Sequence, residues 1–138
     1  MKFIKYIFVL LLINCNTYAA SNYFTDGLLL YEKNQLEKAK FKFEQDIVFN
    51  PKSEKSYLFL SKIFNKQDKK DLEEKNLNTV ILLNPKNEDA LYSLAKLRLK
   101  KSDFSGSKEL LEKLLVFCEN YCQKSKELKN EVENSIKK

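Results

Sequence analysis

The chain has 138 residues, 43% of them hydrophobic and 32% charged, with a formal net charge of +6 and no histidine. That length suits a single small domain, and apolar residues recurring at helical spacing exclude a disordered chain. The lack of histidine removes histidine-based catalytic triads and leaves general-base work to other groups.

Residues 1–19 read as a secretory signal peptide: Lys2 and Lys5 form a positive head, Tyr6 to Ile13 is an unbroken apolar run, and Thr17-Tyr18-Ala19 is a small-x-small cleavage site. The run is shorter than the ~20 residues that span a bilayer. Cleavage after Ala19 predicts a periplasmic or secreted chain whose net charge falls from +6 to +4 with the loss of Lys2 and Lys5. Leu12-Ile13-Asn14-Cys15 offers a second reading, a lipobox with an acylated Cys15, although Asn14 stands where that motif has Gly, Ala or Ser. Membrane attachment follows only from the second reading.

From Ala20 onward the pattern is helical throughout. The chain has two glycines and two prolines, and no alternating strand pattern or hairpin signal. The spacing predicts an all-α protein with helices at about 21–33, 36–49, 54–66, 69–83, 87–100, 103–117 and 122–136. Ser53 is the natural N-cap of the third, and Ser102 and Asp103 of the sixth. Pro51 and Pro85 lie 34 residues apart, each within Asn-Pro-Lys. Behind each is an apolar run (Phe43 to Phe49, Leu77 to Leu83), and ahead of each is another (Tyr57 to Phe64, Leu91 to Leu99). Two helices per fixed period mark a stacked helical repeat. The prolines stop the helices before them. Gly27, Ala39, Ser61, Ala95 and Ser107 are small enough to let paired helices approach closely. Leu128, Val132 and Ile136 form a narrow apolar stripe on an otherwise polar last helix, as a terminal cap requires.

These residues resemble the tetratricopeptide repeat over roughly residues 21–119. The first unit carries the match at Tyr23, Gly27, Leu30, Tyr31, Leu36, Ala39, Phe43 and Pro51. The second carries it at Tyr57, Leu60, Ser61, Phe64, Leu77 and Pro85, with Glu73 where a small residue is expected. The third carries it at Leu91, Leu94, Ala95, Phe104, Ser107 and Leu111, with Arg98 and Glu119 replacing an aromatic and the proline. The resemblance implies a right-handed α-solenoid of three helix-turn-helix units (about 20–53, 54–87 and 88–121) followed by a capping helix at 120–138. It also implies a non-enzymatic module of the cell envelope that binds a protein or peptide on its concave face. The stripe turned toward that face would be Phe24, Leu28 and Tyr31, then Leu58, Lys62 and Asn65, then Tyr92, Lys96 and Leu99. Such a face suits a segment with apolar anchors and a carboxylate. The carboxylate clamp of the chaperone-binding members is not reproduced: Phe24, Leu28 and Asp89 replace two lysines and an asparagine. The alternative role is a structural or lipid-anchored accessory subunit of an envelope assembly, using the convex or terminal faces.

The remaining chemistry is sparse. Arg98 is the sole arginine, and the lysines are interleaved with acidic residues, so the basic balance reads as solvated helix surface and no nucleic-acid partner is expected. No phosphate loop, H-E-x-x-H or G-x-S-x-G is present. No cofactor or metal is expected, because structural zinc takes four Cys or His ligands. Glu73 comes nearest to a catalytic carboxylate, but it is expected on a locally shifted helix that exposes it, and no enzyme is expected. Cys118 and Cys122 are expected to form a disulfide after export, the other readings being free thiols or a metal site. Four residues apart is awkward within an unbroken helix, so a break is expected near Asn120 in a left-handed turn.

Overall fold

The computed structural model describes residues 20–137. The signal-peptide and lipobox readings fall on residues 1–19, outside the described residues. Those described form seven helices and no strand: α1 (Ala20–Glu32), α2 (Leu36–Phe49), α3 (Glu54–Lys66), α4 (Lys70–Leu83), α5 (Glu88–Lys100), α6 (Phe104–Leu115) and α7 (Cys122–Ile136). The described residues divide into two compact units, one holding α1 and α2 and ending at Ser53, the other beginning at Glu54 and holding α3 to α7.

The 34-residue period is written into the backbone. The first helices of the pairs begin at Ala20, Glu54 and Glu88, and the second helices at Leu36, Lys70 and Phe104. Between the members of each pair one residue takes a left-handed conformation: Asn34 (φ 56°), Asp68 (φ 53°) and Ser102 (φ 60°). The next N–H, of Gln35, Lys69 or Asp103, donates back to the carbonyl of Leu30, Phe64 or Arg98 at 2.9 Å in all three cases. This is the closure that ends a helix by turning the chain through one left-handed residue. Ser102 therefore terminates α5 and does not cap α6. Asp103 alone is the N-cap, accepting the Gly106 N–H at 3.0 Å.

In the first unit, α1 and α2 close over Phe43, which is fully buried with Ala39. Gly27 is needed there: a Cβ added to it would lie 2.7 Å from the Phe43 ring. Tyr23 stacks on Phe49 with centroids 5.3 Å apart.

Apolar clusters hold the second unit. Leu77 and Val80 of α4 meet Ala90, Leu94 and Leu97 of α5. Ala95 of α5, Leu111 of α6, and Leu128 and Val132 of α7 form another. Each buried leucine contributes about 1.5–3 kcal/mol relative to leaving it in water. The cap differs from expectation at one position. Leu128 and Val132 are buried, but Ile136 is exposed, being the last residue of α7 and beyond the cluster.

Glu73 also departs from expectation. Its side chain is buried, at 4% exposure, on an undisturbed α4. Asn65 of α3 donates to its carboxylate at 2.9 Å, so the flexible side chain reaches a partner without shifting the helix. Burial pushes this carboxyl upward in pKa, partly countered by the Asn65 bond and by Lys100. Arg98, at the position of the missing aromatic, sits between Glu74 (2.6 Å) and Asp103 (2.8 Å).

Candidate functional site

A helix in a paired repeat has one buried side and one side turned away from its partner. On α3 the buried residues are Ser56, Leu60, Ser61, Ile63 and Phe64. Lys55, Leu58, Phe59, Lys62, Asn65 and Lys66 lie on the other side. On α5, Ala90, Leu91, Leu94, Ala95 and Leu97 are buried, and Asp89, Tyr92, Ser93, Lys96, Leu99 and Lys100 occupy the other side. The two sets correspond by the 34-residue step, so Lys62 matches Lys96 and Lys66 matches Lys100.

The candidate residues fall into three environments. Leu58 packs against the Leu77 cluster, and Tyr92 and Leu99 pack against the Ala95 cluster; all three are half-buried. Lys62 donates to the Asp89 carboxylate at 2.7 Å and lies 5.2 Å from the Phe59 ring centroid. Asn65 is engaged with Glu73. Lys96 is exposed. In the first unit Phe24 tilts against Phe43 at 5.7 Å, and Leu28 and Tyr31 are half-buried.

One part of this face lay outside the sequence reading. Tyr121, at the start of α7, sits 5.3 Å from the Tyr92 ring and near the Asp89 carboxylate. Burial is the main cause that raises the Tyr121 phenol in pKa, and Asp89 adds to it. Asp89 thus joins Lys62 of α3 to the turn that precedes α7. The adjacent Glu88 accepts the N–H groups of Glu119, Asn120 and Tyr121 at 2.8, 2.9 and 2.9 Å. Desolvation opposes ionisation of Glu88, yet the three N–H bonds together hold its carboxyl below the usual range.

This cradle replaces the left-handed turn expected at Asn120, whose φ is not positive. The chain leaves α6 already at Leu115, two residues before the expected end, and Glu88 captures the amides that follow. The sulfurs of Cys118 and Cys122 lie at bonding distance, 2.05 Å, with their Cα atoms 5.3 Å apart. A signal for the cradle was available. Glu54 and Glu88 are one period apart, and Glu54 accepts from Asn84 at 3.1 and 3.2 Å and from Asn87.

Among the described residues no group of three or more potential metal ligands is present, and no helix is long and apolar enough to cross a membrane. A depression of about 240 Å³ lined by Asn78, Leu94, Arg98, Gly106, Glu109 and Leu110 lies between α4, α5 and α6. The candidate face is on other residues of α3 and α5.

No family model matches the chain, and no curated protein matches it. Solved structures match it closely in fold. The first tetratricopeptide-repeat domain of Spaghetti (RPAP3), bound to the HSP90 peptide SRMEEVD, is 12% identical with a TM-score of 0.79, covering 89% of this chain and 97% of its own. The type III secretion translocator chaperone SycD of Yersinia enterocolitica is 12% identical with a TM-score of 0.81, covering 94% of each chain. SycD has also been solved with a peptide of the translocator YopD. The Arabidopsis OM64 repeat domain is 17% identical with a TM-score of 0.76, covering 85% of this chain and 96% of its own.

Proposed function

We propose that this chain, whose fold is that of tetratricopeptide repeats, is a non-enzymatic interaction module of the cell envelope, exported by residues 1–19. Within residues 54–138 it receives a partner peptide or protein on the face carried by α3 and α5. Solved proteins of the same fold are seen with peptides of HSP90 and YopD, which supports a peptide-sized partner. The observation that carries the reading is the less buried side of α3 and α5. That side carries the half-buried apolar residues Leu58, Tyr92 and Leu99 and the repeating lysines Lys62 and Lys96, with Asp89 engaged by Lys62. That chemistry fits a segment with apolar anchors and acidic groups, because charge complementarity steers and orients such a partner.

The test is fluorescence polarisation with a panel of short peptides that keep their apolar anchors and vary in charge. Acidic members should bind, and raised salt should weaken them. Lys96→Glu is the cleaner probe, since Lys62 also neutralises Asp89; the Lys62→Glu, Lys96→Glu double variant should lose still more affinity. Equal affinity and equal salt dependence in Lys96→Glu and the parent would remove this face as the site.

One observation favours a structural role as the second reading. Val48, Leu82 and Val116 occupy the same position of successive repeats and are 74%, 81% and 85% exposed. Stoichiometric co-purification with an envelope assembly, lost in Leu82→Ser with Val116→Ser, would install that role instead.

A further inference from the structure

The exits from α4 and α6 solve the same problem with different means. After α4, Pro85 stiffens the turn, and Glu54 collects the side-chain amides of Asn84 and Asn87. After α6, Glu119 stands in place of the proline, and Glu88 collects three successive backbone amides. Those amides belong to Glu119, Asn120 and Tyr121, the three residues enclosed by Cys118 and Cys122. Successive N–H groups converging from a turn form a concave anion site, and here the occupant is the protein's own carboxylate. The same ring includes Tyr121, whose side chain lies against Tyr92 and near Asp89. Both cysteines are partly exposed, so a thiol reagent can reach them.

We propose that the Cys118–Cys122 bond is a redox latch. Oxidised, it presents the three amides to Glu88 and seats Tyr121 over Tyr92 and Asp89. Reduced, it frees the loop and uncovers those two residues on α5. A small dithiol performs the step. Its thiolate attacks one sulfur, the S–S bond opens through a mixed disulfide, and the second thiol of the reagent closes on the first. Two electrons and two protons end on Cys118 and Cys122 as thiols, and the reagent leaves as a cyclic disulfide. A ring this short removes little chain entropy, so opening it loosens the loop and leaves the helix pairs standing. The effect on partner access rests on the reading above; the latch itself does not.

The test compares amide hydrogen exchange by NMR in the oxidised chain, the chain held in dithiothreitol, and the Cys118→Ser, Cys122→Ser variant. Exchange at Glu119, Asn120 and Tyr121 should quicken about tenfold or more in the last two, the scale set by losing a bond to a charged acceptor. The Leu94 and Leu111 amides should stay unchanged. Equal protection of the three loop amides in all samples would overturn the latch. So would a joint loss of protection across α5, α6 and α7, which would make the bond a staple of the whole unit. Because no partner is added, either failure leaves peptide binding untouched.

Discussion

The α3–α4 and α5–α6 crossings use the same repeat positions and are closed differently. In α5–α6, Ala95 faces Ser107, and the fully buried Ser107 hydroxyl donates across the contact to the Ala95 carbonyl at 2.8 Å. In α3–α4 the matching residues are Ser61 and Glu73. The Ser61 hydroxyl turns back to its own helix, on the Leu58 carbonyl at 2.7 Å, and the Glu73 carboxylate runs to Asn65. The first crossing is sealed by the smallest hydrogen-bonding side chain. The second admits a long one because its charged end finds a donor at the margin. A small residue at this position is one solution to close approach, and a long residue with a satisfied tip is another.

Placing the same residue at both crossings should separate them most. Ser107→Leu has no space to fill and loses the bond to Ala95, so it should cost typically 1–3 kcal/mol, as overpacking does. Glu73→Leu nearly conserves volume and removes a buried charge, so its cost should stay below about 1.5 kcal/mol. Urea denaturation of the two variants measures the difference, and equal losses would show that the crossings are packed alike. Ser107→Ala should lose about 1 kcal/mol with its bond across the helices. In Ser61→Ala the missing bond lies within one helix and alanine favours that helix, so the midpoint should barely move.

A further effect is in pH. Because burial raises the Glu73 carboxyl above its ordinary value of 4.5, the fold favours its protonated form. Its contribution is therefore fully present below the unfolded value and is lost as pH rises through the folded one. Glu73→Gln should be more stable than the parent at neutral pH, on the order of 0.5–1 kcal/mol, and the gap should close toward pH 4. Glu88, Asp103 and Glu112 run the opposite way. Their carboxyls are lowered, so their contributions are present above the unfolded values and are lost as pH falls through the folded ones. Stability curves of parent and variant across pH isolate the Glu73 part, and a constant gap would show that Glu73 does not titrate with folding.

The helices were legible because their signals are local. Pro51 and Pro85, the small residues from Gly27 to Ser107 and the apolar spacing each act within a turn or two of chain. The Asn34, Asp68 and Ser102 turns share the period, but three different residue types hide it in the letters. Glu73 was misplaced because repeat position fixes where a backbone passes, whereas its carboxylate is satisfied by Asn65 on the preceding helix. The break before α7 was foreseen and its cause was not, since Glu88 acts on amides 31 to 33 residues later. On the candidate face, lysine spacing could be read directly. The Lys62–Asp89 pair and the seat of Tyr121 needed two helices and a turn to be assembled first.

Glu54 and Glu88 also bear on the order in which the second unit forms. Each stands at the first residue of a helix pair and grips the chain where that pair ends, so its bonds cannot close until the intervening helices have docked. The entropy of closing such a loop must be met first by apolar contacts between neighbours, which leaves these carboxylates to fasten late. Interactions absent from the folding barrier act mainly on the escape rate. The two glutamates are thus brakes on unfolding: losing either leaves folding nearly as fast and shortens the lifetime of the folded repeat.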